Sequence, residues 1–546
     1  MSWTWDNTRE CFTDWVAKWG DYSKVKDLML WRGYSLWWST KLVSKDTLVD
    51  NSWYVELHQR LQGLPVCKIQ PKSILSIHFL LLKSFFAYCT QWLLICFLFP
   101  IGKKKSRKKA DIWFHSLGYN ILKAKNCIVD RMYDEVPFLD SDFNLVSGFI
   151  VRLNYSKNDY ISPGFLSKRL KQFESKMNRP VIVLDRFLKI FDIIDVHINL
   201  LLNYYKLLFF FSKPEFRSVE INGYNISDIV RFQLEDSFAN ILPWSLMHAA
   251  MFQSLLNKLE GALDFIVNYG ETLAPIRATN FLLKKEFPKV KWVSIQHATV
   301  YKNKMGLYHR REEFAIDNLS FKDHNKAPSP DYYLIHGTQY QNILKDFYPL
   351  ERIKIIGCLK YDSLYELKKK REQGFQNTEG KRIAVLALST GDEELMFRMF
   401  SCLDSVEGWE FIICKHPAIS KESIVGLIHK YNVNFPYSIS EEKTINVISE
   451  SNVVFTGFSS IALESLVLNI PAFRIVNDND PPVIDYEPGV ISIRTREELL
   501  QILNWKDSSF SNYLASQELS ETIKSFFYNI DGETGKRFWN EILAIR

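Results

Sequence analysis

Asn452-Val453-Val454-Phe455-Thr456-Gly457-Phe458-Ser459-Ser460-Ile461-Ala462-Leu463-Glu464-Ser465-Leu466-Val467-Leu468 is the stretch that decides the fold. A short apolar run turns at a glycine and passes into a helix-like segment over Ile461 to Leu468, the strand–turn–helix unit of a helix-covered parallel sheet. The same pattern recurs upstream. Arg382 to Leu388 reads as a strand, the turn Ser389-Thr390-Gly391 follows, and Glu393 to Leu403 reads as a helix. Trp409 to Cys414 is the next strand and runs directly into Lys415-His416-Pro417, while Ala472-Phe473-Arg474-Ile475 continues the series. A second series precedes this one, with strands over Ala110–Phe114, Pro180–Leu184, Asp264–Val267, Val290–Ile295 and Asp331–Ile335. Amphipathic helices lie between them, such as Pro243 to Leu259, where proline suits a first turn. The charged, glycine-containing segment Glu366 to Lys381 reads as a linker. The expected fold is therefore α/β, with two Rossmann-like domains facing a cleft between the carboxyl ends of their sheets. Their bounds are 110–365 and 381–510, and a helical segment, 515–546, with a break at Asp531-Gly532, closes the pair.

The chain has 546 residues, enough for two or three domains, and 47% are apolar, which excludes a disordered protein. The net charge of +6 is modest, and six basic residues sit in the run Lys103-Lys104-Lys105-Ser106-Arg107-Lys108-Lys109, so a general nucleic-acid binder is not expected. Eight cysteines form no CxxC pair and read as core residues of a reducing compartment. Met1-Ser2-Trp3-Thr4-Trp5 lacks a secretory leader pattern, so cytoplasmic residence is the default expectation.

Eight of the fifteen tryptophans fall within residues 1–72, and Trp15 and Trp19 have helical spacing, so this region reads as a small helical cap. Its tryptophans read as a packing surface or an aromatic sugar cradle. Residues 73–109 join the most apolar stretch, Ile74 to Phe99, to the basic run. Ser76, Lys83 and Thr90 recur at intervals of seven, with Ser84 and Gln91 beside them, and would form one polar stripe on a helix. With Lys83 in mid-segment, a helix or hairpin in the membrane interface, or packed on the protein, is expected in place of a simple span. The basic run beside it suits anionic headgroups of the inner membrane face.

Two motifs carry chemistry in the C-terminal domain. Lys415-His416-Pro417 and Thr456-Gly457-Phe458-Ser459-Ser460 both fall at carboxyl ends of strands. Ser459 and Ser460 open a helix, where free N–H groups favour a phosphate, and His416 is placed to donate to it. Alone, a Ser-Ser pair reads as an N-cap and a His-Pro as a turn; together, in this order, they read as a site. The N-terminal domain offers Tyr269-Gly270-Glu271-Thr272 and Gln296-His297-Ala298-Thr299, again at strand ends.

The paired His-Pro and Ser-Ser motifs resemble those of bacterial sialyltransferases, polysialyltransferases and Kdo transferases, and of glycerol-phosphate polymerases that use CDP-glycerol. The resemblance spans roughly residues 264–475 and implies the GT-B fold and an inverting glycosyltransferase. It further implies that Lys415, His416, Pro417, Gly457, Ser459 and Ser460 hold the phosphate of a CMP-activated donor, with Ser389, Thr390 and Gly391 on the same wall and Glu464 reaching its ribose. On the opposite wall, Glu271 is the expected base for the acceptor hydroxyl, and Gln296 and His297 are substrate-binding. Arg277 is placed either against a sugar carboxylate or in an ordinary surface salt bridge. Related surface-polysaccharide enzymes carry a glycine after the histidine, where this chain has Ala298. The triplets Asp140-Ser141-Asp142 and Asp478-Asn479-Asp480 are discounted as metal sites, and no metal or other cofactor is expected, since the nucleotide sugar is the substrate and helix termini can stabilise the leaving phosphate. The expected partners are a nucleotide sugar (Kdo or another nonulosonic acid), a glycan or lipid-linked acceptor of surface polysaccharide, and the inner membrane at its periphery. The readings kept beside this one are a UDP-sugar, GDP-sugar or CDP-glycerol donor, an isomerase like the UDP-sugar 2-epimerases, and a non-catalytic assembly scaffold.

Overall fold

The computed structural model describes the chain except for residues 1–2, 46–51, 67–68, 99–109, 118–120, 124–127, 154–178, 218, 260–262, 264, 271–272, 301–303, 315–322, 375–381, 390, 402, 404–406, 417–418, 458, 478–485 and 487–488. The tryptophan-rich region folds around helices α1 (Trp5–Tyr22) and α2 (Ser52–Leu61). Thr4 caps α1 by accepting the Asn7 N–H at 3.2 Å. Trp15 and Trp19, one turn apart, stack with centroids 5.1 Å apart. Trp31, Trp37 and Trp38 are fully buried in the core shared with the following domain, so the cap is one wall of that core.

Residues 74–98 form one continuous helix, α3 (Ile74–Leu98), and not a hairpin. It packs antiparallel along α4 (Ile190–Ser212). His78 Nε2 lies 2.9 Å from Tyr205 Oη near one end, and Ser84 Oγ lies 3.2 Å from His197 Nε2 further along. The expected polar stripe is split by this packing. Ser84 turns inward to His197, while Lys83 and Thr90 stand on the outward face among apolar side chains.

The N-terminal sheet has seven parallel strands: β1 (Ile112–Leu117), β2 (Ser147–Arg152), β3 (Val181–Val183), β4 (Phe265–Tyr269), β5 (Lys291–Ile295), β6 (Tyr332–Ile335) and β7 (Ile353–Ile355). Their order across the sheet is β7-β6-β5-β4-β1-β2-β3. Helices α5 (Leu242–Lys258) and α6 (Ala274–Glu286) pack against each other in its covering layers. β2, whose apolar run Phe149-Ile150-Val151 is flanked by Ser147-Gly148 and Arg152, and β7, interrupted by Lys354, were not foreseen. At Gly148 of β2 an added Cβ would sit 2.8 Å from the Trp113 ring, so glycine here admits the neighbouring strand's indole.

The C-terminal sheet has six parallel strands: β8 (Arg382–Ala387), β9 (Trp409–Cys414), β10 (Tyr437–Ser440), β11 (Val453–Thr456), β12 (Ala472–Ile475) and β13 (Ser492–Ile493). They run in the order β10-β9-β8-β11-β12-β13. Both sheets thus place later strands on either side of the first, with a reversal between β1 and β4 and again between β8 and β11, which is the doubly wound Rossmann-like arrangement.

The expected linker is largely a helix, α7 (Asp362–Gly374), with residues 375–381 outside the described residues. Its Lys, Glu and Arg residues are good helix formers, and Arg371 ties it to the C-terminal unit by donating to Ser451 O at 3.0 Å. The final segment is two helices, broken at the expected place. After α8 (Glu393–Phe400) and α9 (Ile461–Val467) in the C-terminal unit, α10 (Gln517–Phe527) buries Leu519, Phe526 and Phe527 in the same core. Helix α11 (Thr534–Ile545) crosses back and buries Phe538, Trp539 and Ile542 in the N-terminal unit. Trp539 Nε1 donates to Val136 O at 2.9 Å.

Gly337, just past β6, marks the close approach of the two units, because an added Cβ would lie 2.2 Å from Ser525 O on α10. Gly337→Ala is expected to destabilise the chain by about 1–3 kcal/mol in urea unfolding. Gly426→Ala, in a helix where an added Cβ meets nothing within 4 Å, should instead stabilise it by about 0.5–1 kcal/mol.

Candidate active site

In an open α/β sheet the crevice forms where neighbouring strands send their connections to opposite faces. In the C-terminal unit this point lies between β8 and β11. Ala387, Cys414 and Thr456 stand in register on three adjacent strands. Ser389 and Gly391, Lys415 and His416, and Gly457, Ser459 and Ser460 therefore leave one edge together. Thr390, Pro417 and Phe458 belong to the same three loops but lie outside the described residues.

Asp392 joins two of these loops and was missed in the sequence. Its Oδ1 accepts the Ser389 N–H at 2.8 Å, and its Oδ2 lies 2.4 Å from where a Cβ on Gly457 would stand. Glycine at 457 is thus set by the carboxylate that bridges the crevice. Arg474 was missed as well, although it lies within the strand the sequence identified. Its Nε donates to Gly457 O at 3.3 Å, its guanidinium lies 5.6 Å from the Tyr486 ring, and it is buried. The Ser389 hydroxyl is buried without a hydrogen-bond partner among the described residues, so a polar group at this point would satisfy it.

Ser459 Oγ accepts the Ile461 N–H at 3.3 Å, and Ser460 Oγ donates to Glu464 Oε1 at 3.0 Å. Lys415 is half-buried and His416 exposed at the end of β9. Glu464 also accepts from the Tyr361 hydroxyl, with Lys360 Nζ 4.0 Å away. Tyr361 follows β7, so this contact brings the carboxyl edge of the N-terminal sheet onto the helix that opens at Ser460. A second approach lies at Asp134, near Lys443 just beyond β10. The two carboxyl edges face each other across a cleft, which is the GT-B arrangement.

The opposite wall has its own reversal between β1 and β4. Gly270 leaves β4 at φ 79°, a conformation that favours glycine. Glu271, the expected base, follows it but lies outside the described residues. Beneath this point sits Asp130, which the sequence did not signal. It accepts from the Ser116 hydroxyl, from Met132 N at 2.8 Å and from Tyr269 Oη at 3.3 Å, and Tyr269 Oη also accepts the Leu117 N–H at 2.7 Å. Burial pushes the Asp130 carboxyl up to about 6. Asp134 is likewise raised to about 6 by burial and by Glu135 and Asp362, with Lys443 opposing.

Two residues expected as substrate contacts are engaged within the protein. Gln296 spends both ends of its amide on the backbone: Nε2 donates to Ala298 O and Oε1 accepts the His336 N–H, each at 2.8 Å. It braces the ends of β5 and β6. Arg277 is neither on the cleft nor in a surface salt bridge. It is buried under the tryptophan-rich cap, donating to Trp38 O at 3.3 Å and lying 3.0 Å from His309 Nε2. His297 stays half-buried at the rim beyond β5. Asp140 of the discounted triplet is a buried structural acceptor for Ser147 N at 2.6 Å, whereas Asp478 and Asp480 lie outside the described residues.

No protein-family model and no curated protein matches the chain. Among solved structures it is similar to UDP-GlcNAc 2-epimerase from Neisseria meningitidis bound to UDP-GlcNAc, at 12% identity and TM-score 0.44, over 79% of this chain and 100% of that one. It is similar to the wall teichoic acid polymerase TagF at 11% identity and TM-score 0.41, over 87% and 98%. UDP-GlcNAc 2-epimerase from Methanocaldococcus jannaschii gives 12% identity and TM-score 0.39, over 79% and 99%. The strand orders, not these likenesses, define the fold.

Burial makes Asp130 a pH-dependent element of stability. Its carboxyl titrates at about 6 when folded against 3.8 when unfolded, so the folded chain binds more protons in that window. Stability therefore falls as pH rises from about 4 to about 6. Asp130→Asn should flatten this part of a denaturation-versus-pH curve, matching the wild type near pH 4 and exceeding it at pH 7 by up to about 3 kcal/mol.

Proposed function

We propose that the chain is an inverting glycosyltransferase that moves a sugar, Kdo or another nonulosonic acid, from a CMP-activated donor to a surface-polysaccharide acceptor. The observation that carries this reading is the convergence of three loops at the C-terminal crevice, with the Ser389 hydroxyl that lacks a partner among the described residues and the Arg474-backed Gly457 turn, opposite a second carboxyl edge. The paired His-Pro and Ser-Ser motifs supply the donor class. The acceptor is a glycan or lipid-linked glycan at the inner membrane face, and the protein sits there peripherally from the cytoplasmic side.

In this mechanism the acceptor hydroxyl oxygen attacks the anomeric carbon as the bond from that carbon to the CMP phosphate oxygen breaks. Glu271 takes the hydroxyl proton. The leaving phosphate is stabilised by the N–H groups at Ser459 and Ser460, by the Ser459 hydroxyl, by the Ser460 hydroxyl once it turns from Glu464, and by His416. No metal or cofactor takes part. His297, at the rim of the opposite wall, orients the sugar.

The test is thermal stabilisation of the lipid-free protein by CMP, CDP, UMP, UDP, GDP and ADP, since a ligand that binds only the folded state raises the midpoint. A shift with CMP or CDP alone, abolished in the double variant Ser459→Ala with Ser460→Ala, is expected. A shift with UDP or GDP replaces the donor, turnover of a nucleotide sugar without acceptor marks an isomerase, and no shift with any nucleotide overturns the enzyme reading for a scaffold. His416→Ala should lower turnover by about 10²-fold or more while leaving the unfolding midpoint unchanged. Equal loss of both would remove His416 from the mechanism.

A further inference from the structure

Helices α3 and α4 present one continuous apolar face that the sequence showed only in half. On α3 the exposed side chains include Phe79, Leu82 and Phe86, and on α4 they include Ile198, Leu202 and Phe209. Tyr205 meets His78 between the two helices, so the stripes abut. Among the described exposed residues of both helices the charged ones are Lys83 and Lys206, both basic, and no acidic residue is exposed there. Lys213 follows α4, and the chain leaves α3 towards the run Lys103–Lys109. A crevice of about 590 Å³, lined by Pro71, Ile74, Leu208, Phe211 and Phe216 among others, opens where α3 begins and α4 ends.

Both helices are long and apolar enough to cross a bilayer, but their inner faces are already committed. Ile77 and Leu81 of α3 and Val196, Leu200 and Tyr204 of α4 belong to the core beneath the N-terminal sheet. Polar groups lie there too. Asn203 donates to Leu30 O at 3.0 Å, and Asp192 pairs with Arg32 at 2.8 Å. A spanning orientation would carry these groups into hydrocarbon and open the core. A surface that is apolar at its centre and carries Lys83 and Lys206, with Asp195 already paired to Arg32 and Asp228 to Arg60, fits an anionic lipid leaflet better than a second copy of itself, whose lysines would be brought together.

We infer that α3 and α4 together form an in-plane docking plate for an anionic lipid surface, each lying along the membrane with its outer stripe at the headgroup–acyl boundary. The lysine stems lie along the apolar face and carry their ammonium groups to the phosphates. The plate reaches the cleft. Tyr88 on the inner side of α3 accepts from Arg152 Nη2 at 3.3 Å, and Arg152 ends β2 at the carboxyl edge of the sheet. Docking would therefore hold that edge beside the lipid surface. The inference deepens the membrane-side placement proposed above and rests on it, while the nucleotide test runs without lipid, so either can fail alone.

The experiment is flotation of the full chain with phosphatidylcholine vesicles, with and without phosphatidylglycerol. Binding is expected with phosphatidylglycerol and should weaken with salt. Ile198→Glu with Leu202→Glu changes only exposed positions of α4, leaves α3 and the basic run intact, and should lower vesicle affinity by tenfold or more at an unchanged unfolding midpoint. Wild-type binding by this variant would overturn the plate. Spin labels at Leu75→Cys and Phe97→Cys, at opposite ends of α3, should report the same shallow depth in the same leaflet, and depths differing by a bilayer thickness would overturn the in-plane orientation. A lipid-free dimer dissolved by the α4 variant would assign the face to a second copy.

Discussion

Parallel strand pairing is the constraint on which the molecule depends. Strands that all run one way need helical crossovers, and the crossovers cover both faces of the sheet. The edges are left to the loops, and every loop that follows a strand gathers at the same edge. In this chain that constraint acts twice. Ser389, His416 and Ser460 are brought together by the register of β8, β9 and β11 although they are far apart in sequence. Asp130, Tyr269 and His297 gather at the other edge for the same reason.

The two edges meet because the chain crosses between units twice, and one carboxylate serves both crossings. Asp362 opens α7 on the way out and accepts the N–H groups of Thr534 and Gly535, at 3.3 and 3.0 Å, where α11 begins on the way back. An acidic group at a helix N-terminus satisfies orphan donors and complements the helix dipole. Arg537, one turn further on, donates to Ile356 O at 2.8 Å and pairs with Asp531 at 2.9 Å.

Much of this was legible because buried parallel strands are written as apolar runs. Ile383 to Leu386 and Val453 to Phe455 could be read with no other knowledge. Ser147-Gly148-Phe149-Ile150-Val151-Arg152 could not, since its glycine and arginine are explained by partners distant in sequence: the Trp113 ring, and Tyr88 with His248. Tyr437 to Ser440 is a half-exposed edge strand without an apolar run. Charge misled in two places. The lysines of α7 look like a linker until Arg371 is seen capping Ser451, and Arg277 looks exposed until the cap is seen to cover α6. The outward face of α4 was hidden by sequence alternation, because Asp192, Asp195, His197 and Asn203 share the helix with its apolar stripe. In the candidate site the motifs were readable, but Asp392 and Asp130 gain their meaning from neighbours that only the fold supplies.

The return of α11 also fixes the order of events during synthesis. Phe538, Trp539 and Ile542 complete the core on one side of the N-terminal sheet, against Phe114, Phe149 and Tyr133. The N-terminal unit therefore lacks part of its own interior until residues 538–542 emerge from the ribosome. The C-terminal unit, whose core draws on Cys358 through Phe527, can close before that. Arrival of α11, rather than the synthesis of its own strands, is what completes the N-terminal core, and a nascent chain stalled before residue 538 would expose that apolar surface to aggregation.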